Sequence, residues 1–69
     1  MDKASLENSF IYHVPTFEQI PKYERLRAKG KELAQMIYED VPQSAEQVLA
    51  IRKVEEAIMW ANKGIACNS

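Results

Sequence analysis

The apolar positions of this 69-residue chain fall into two regular stripes with a short polar interruption between them. Tyr23, Leu26, Gly30, Leu33 and Ile37 alternate spacings of three and four, which places them on one face of a helix. Ile51, Val54, Ile58, Ala61 and Ile65 repeat that spacing further on. The interruption, "EDVPQS", stops the first helix at Asp40 and Pro42 and restarts with Ser44 and Gln47, the residue types of a capping box. Thr16 and Gln19 offer a second such box at the head of the first helix, where Pro21 also fits the opening turn. The pattern predicts an all-α fold: an antiparallel helical hairpin, with helices over residues 17–39 and 45–66, in one domain spanning 1–69. Residues 1–15 precede it as a short N-terminal arm, in which "ASLENSF" can make a brief helix before Pro15 ends it.

Two seams do not account for all the apolar surface. Leu49, Met59 and Trp60 lie off the second stripe, and Met36 and Tyr38 flank the first. At this length a single core supplies only about 3–5 kcal/mol, so small chains usually add a disulfide, a metal or a partner subunit. Cys67 is the sole cysteine, which rules out an internal disulfide. With His13 it makes only half a structural zinc site, so no metal and no cofactor is expected. Assembly as a homo-oligomer is the remaining route, and an exposed patch containing Trp suits it. Gly30 costs the helix about 1 kcal/mol relative to Ala, and on the seam it admits a neighbouring backbone or a ligand.

Charge narrows the partners. A formal net charge of −1 argues against binding to DNA or RNA polymers. No apolar run is long enough for a membrane span or a signal peptide. The lone thiol suits a reducing, cytoplasmic setting. Within this balance, five of the nine basic residues crowd between Lys22 and Lys31. At about 100° per residue, Lys22, Arg25 and Lys29 lie on one flank of the seam, and Arg27 and Lys31 on the other. Either these are solvated charges held in intrahelical pairs such as Glu24 with Arg27, or one flank clamps phosphate. The arm holds Phe10, Tyr12, His13 and Pro15 within six positions. Tyr12 and His13 could stack on or hydrogen-bond to a base, or they could simply pack. No motif supports an enzyme: His13 and Cys67 have no local context as a nucleophilic pair, Glu55 and Glu56 point to different helix faces, and Gly30 and Gly64 are isolated. Asn62 and Asn68 read as capping or interhelical groups. Two functions remain open, a binder of a flat anionic ligand and a helical module that docks on a host protein.

The segments "FIYHVP", "KYERLRAKGKELAQMI" and "VPQSAEQVLAIRKVEEAIMWANKGIA" together resemble the phage anti-CBASS sponges of the anti-CBASS two family, which share a hairpin domain with the anti-Thoeris sponges. The resemblance runs from about Phe10 to Asn68. It implies a phage protein that sequesters cyclic oligonucleotide second messengers, such as 3′,3′-cyclic GMP-AMP, in the host cytoplasm without cleaving them. It also implies a homohexamer built as a trimer of dimers. Carried onto matching positions, Tyr12 would stack on a base, Arg27 would contact a phosphate or base edge, and His13 and Pro15 would shape the wall. Lys31 joins them from helix geometry, since it shares a flank with Arg27. Some members hold a cyclic trinucleotide near a C-terminal Ile-Ala-Arg-Asn. Here the run reads Ile65-Ala66-Cys67-Asn68, so the trinucleotide site at Cys67 and Asn68 is expected to be weakened or retuned.

Overall fold

The computed structural model describes residues 2–11 and 14–68, with Ser9 by its backbone alone. Helix α1 spans Lys3–Ser9, α2 spans Ile20–Asp40 and α3 spans Ala45–Asn68. No strand occurs among the described residues. The arm therefore carries a true helix, capped by Asp2, whose Oδ1 accepts the backbone N–H of Ser5 at 2.7 Å.

Thr16 and Gln19 form their capping box in both directions. The Thr16 N–H donates to Gln19 Oε1 at 3.0 Å, and the Gln19 N–H donates to Thr16 Oγ1 at 3.3 Å. The box closes a turn over 17–19, and α2 begins at Ile20 with Pro21 in its first turn, three residues later than the pattern placed it. Ser44 and Gln47 behave differently. The Gln47 N–H donates to Ser44 Oγ at 3.1 Å, but the Gln47 side chain does not return the bond. Its Nε2 crosses to the end of α2 and donates to the carbonyls of Tyr38 and Val41, 3.0 Å each. Two carbonyls orphaned at a helix C-terminus are a stronger demand than one N–H at the next N-terminus, because the turn already lets Ser44 cap Gln47.

Gln19 mirrors this at the other end, where its Nε2 donates to the Ile65 carbonyl of α3 at 3.3 Å. The two glutamines are each 6% exposed and are the buried polar residues of the described chain. Between them the helices meet at Gly30. A Cβ built there would lie 2.7 Å from Ile58 Cγ1 and 2.9 Å from Cδ1, so only glycine lets α2 and α3 approach this closely. Around this crossing the seams are half-buried, with Ala34 joining them. Leu33, expected in the seam, is 47% exposed and lines the rim of a groove.

No apolar side chain among the described residues is fully buried. The molecule measures 44 × 28 × 13 Å, and its thinnest dimension is about one helix diameter. Its radius of gyration, 15.1 Å, exceeds the roughly 11 Å expected of a compact chain of this length. Its accessible surface, 5856 Å², exceeds the roughly 4,400 Å² of a compact monomer of this mass by about 1,400 Å². The excess is apolar in part: Met36, Tyr38, Leu49, Met59 and Trp60 are all more than half exposed.

Two outcomes follow from this geometry. Gly30→Ala should destabilise the protein by about 1–2 kcal/mol in urea unfolding, since overpacking against Ile58 outweighs the gain in helix propensity. Adding Ile58→Ala should cost less than the sum of the two changes, and a neutral Gly30→Ala would show that the crossing is loose. The homo-oligomer expected from the pattern predicts that the midpoint of thermal unfolding rises with protein concentration. A midpoint independent of concentration would show that the hairpin stands alone.

Candidate ligand-binding groove

The crossing at Gly30 leaves a groove on each side of the hairpin. One is lined by Leu26, Leu33 and Ala57, with Lys29 and Lys53 on its rim. The other has a floor of Gly30, Ala34, Val54 and Ile58, a volume of about 290 Å³, and Arg27, Lys31 and Glu55 around it. The helical periodicity thus divides the cations as the pattern implied: Lys29 falls on one side, Arg27 and Lys31 on the other.

The grooves differ in electrostatics. Lys29 Nζ lies 3.3 Å from Glu32 Oε2, and Lys53 Nζ lies 3.3 Å from Glu56 Oε2, each one turn along the same helix. Those cations are already partnered. Glu24 and Arg27 do not pair, and neither Arg27 nor Lys31 makes an ion pair with a described carboxylate. The second groove therefore offers two cations, one of them a forked guanidinium, over an apolar floor. That combination can take a phosphate on the rim and a sugar or base face on the floor.

Of the arm residues proposed for the site, Tyr12 and His13 lie outside the described residues. Pro15 is exposed and does not line the groove with Arg27 and Lys31. The described anchors of the arm sit at the open end of the hairpin. Asn8 Nδ2 donates to the Cys67 carbonyl at 3.2 Å, and Thr16 is tied to Gln19, which reaches Ile65. Gln19 precedes Arg27 by eight residues, about 12 Å along the helix. The structure brings Arg27 and Lys31 together and anchors the arm about two turns away from them.

Cys67 and Asn68 border a different pocket. Ser5 and Asn8 of α1 face Trp60, Lys63, Cys67 and Asn68 of α3 across it. Asn68 Nδ2 donates to the Gly64 carbonyl at 3.0 Å, an intrahelical bond. Asn62 is less settled: its Oδ1 is buried and accepts no hydrogen bond. At the start of α1, the Asp2 carboxyl is held below its usual range, first by the Ser5 backbone N–H and then by the Ser5 hydroxyl. Its capping contribution is present at neutral pH and is lost as pH falls through that lowered value. No helix among the described residues is long and apolar enough to cross a membrane, and no described group of His, Cys, Asp and Glu is placed to hold a metal.

Residues 2–66 match the family model described as the Acb2/Tad1 hairpin domain. The chain belongs to the Acb2/Tad1 hairpin family. No curated protein and no solved structure matches it. The family match takes in α1, α2 and most of α3, and so covers the arm, the crossing and both grooves. It stops before Cys67 and Asn68, and Cys67 is the position at which this Acb2/Tad1 chain departs from the C-terminal run that the resemblance leads one to expect.

Glu55 is the residue that sequence reasoning passed over. Judged only as one half of an adjacent carboxylate pair, it had no role. Its place beside Val54 and Ile58 puts it on the α3 flank that faces Arg27 and Lys31 across Gly30. Projecting both seams at once, rather than each helix alone, would have found it. For Asn62, replacement by Leu should raise the unfolding free energy by about 1 kcal/mol in urea titration, since an unpaired buried acceptor is removed. A loss of stability would show that Oδ1 finds a donor in solution.

Proposed function

We propose that this Acb2/Tad1 chain is a phage anti-defence sponge that binds cyclic oligonucleotide second messengers in the host cytoplasm, cyclic dinucleotides such as 3′,3′-cyclic GMP-AMP foremost, and holds them unchanged. The observation that carries this reading is the groove of Arg27 and Lys31, two cations without a carboxylate partner among the described residues, over an apolar floor, in a chain of the hairpin family. Arg27 takes a phosphate by its fork and Lys31 adds a point charge beside it. Tyr12 supplies the stacking face, and His13 and Pro15 form the wall.

A single groove is too small for the ligand. Its volume, about 290 Å³, is at the low end of small-molecule sites, and a cyclic dinucleotide has two phosphates related by near two-fold symmetry. Two protomers placed about a two-fold axis offer the same residues twice, so each groove takes half of the ligand. The same pairing covers part of the surface that one hairpin leaves wet. The surplus of about 1,400 Å² per chain matches what an obligate assembly hides on each subunit, in keeping with a homohexamer arranged as a trimer of dimers. An arm from a second copy also removes the difficulty that, within one chain, the arm is anchored some 12 Å from Arg27. The exposed Met59 and Trp60 equally suit a helical module that docks on a host protein, and that is the second reading.

Calorimetry of the purified protein against 3′,3′-cyclic GMP-AMP, cyclic di-AMP, cyclic tri-adenylate and a linear dinucleotide separates the two. Tight binding of a cyclic dinucleotide, released intact on heating, is the expected result, with weak or absent binding of the trinucleotide because Cys67 brings no cation. Arg27→Glu should abolish that binding and leave the assembly mass unchanged by light scattering. Normal binding by this variant would overturn the site, and no heat with any cyclic ligand would leave the protein-docking reading.

A further inference from the structure

A carboxylate in a phosphate groove lowers affinity for every phosphate, so Glu55 requires an explanation. It is not there to neutralise Arg27 or Lys31. It makes no ion pair or hydrogen bond with a described residue, whereas Lys29 and Lys53 of the opposite groove lie 3.3 Å from Glu32 and Glu56, which lie outside that groove. The two sides of the hairpin are thus built in opposite ways. One has paired cations and no anion inside. The other has cations with no ion pair among the described residues, and an anion inside.

Charge density supplies the reason. Arg27 and Lys31 set against Glu55 leave each groove one net positive charge. A phosphodiester carries one negative charge, and a cyclic dinucleotide carries two diesters, one for each of two grooves. A terminal phosphomonoester carries about −1.5 to −2 at neutral pH. It would overshoot the groove and face the Glu55 carboxylate with no cation left to balance it. Discrimination of this kind needs a repulsive element as well as attractive ones. Resting on the sponge reading above, we infer that Glu55 is a specificity-determining residue that admits phosphodiesters and rejects phosphomonoesters and polyphosphates. Linear 5′-phosphorylated dinucleotides and nucleoside triphosphates are thereby kept from occupying the sponge.

The test compares the full-length protein with Glu55→Gln, which keeps the shape and removes the charge. Calorimetry at one ionic strength uses cyclic di-AMP, linear 5′-phosphorylated pApA, linear ApA without the terminal phosphate, and ATP. The Glu55→Gln variant should gain about tenfold in affinity for pApA and ATP, and no more than about threefold for cyclic di-AMP and ApA, as one charge removed at short range predicts. The pApA gain should shrink at high salt. An equal change for all four ligands, or a loss of cyclic di-AMP binding in the variant, would overturn the selective role while leaving the sponge intact. Failure of the unaltered protein to bind any cyclic dinucleotide would overturn the sponge and this inference together.

Discussion

The contact between α2 and α3 at Gly30 governs the rest of the molecule. A glycine hydrogen is what Ile58 packs against, and any larger group would sit inside its van der Waals radius. Gly30 belongs to the lining of the groove on either side of this contact, and the charges on each groove follow from which flank of α2 they occupy. The ends are held by a second device. Gln19, at the N-cap of α2, sends its side-chain amide to the Ile65 carbonyl of α3, and Gln47, in the first turn of α3, sends its own to the Tyr38 and Val41 carbonyls at the end of α2. With the centre pinched and both ends tied, the hairpin has little freedom to slide or splay.

Such a frame is stiff without being well buried. One layer of helices cannot enclose a side chain on all sides, which is why the seam residues stop at half-burial. The hydrophobic effect scales with area removed from water, so a seam of this kind stabilises the fold weakly. The exposed aromatic and thioether side chains on the outer faces are the complement of that deficit. Under the proposed function, the association that covers those faces also assembles a symmetric, two-sided ligand site.

Much of this was legible from spacing. Alternating threes and fours identified both helices and separated Arg27 and Lys31 from Lys29, because helix periodicity is a property of the backbone and carries over to the folded chain. Gly30 was recognisable as a point of close approach, since a glycine on a seam has few other uses. Three features were not legible. Leu33 fits the stripe as well as Leu26 does, yet in the folded chain it lies 47% exposed on the rim of a groove. Gln47 matches a capping box, yet its amide serves the helix before it, a choice that depends on where the α2 carbonyls end in space. Glu55 makes no ion pair among the described residues, and its setting exists only once two helices are placed side by side. The site residues on the arm rest on family resemblance, while the groove rests on geometry.

The three features that hold the hairpin, a glycine contact and two amide clamps, share one chemical property: none of them carries a charge. Protonation and ionic strength leave them untouched, and so does substitution of the charged residues on the flanks. The frame and the charged flanks are therefore separable. A residue such as Arg27, Lys31 or Glu55 can change its charge without a compensating change in the contacts that hold the hairpin. For a chain of this size, with no fully buried apolar side chain among the described residues, that independence widens the range of substitutions the flanks tolerate.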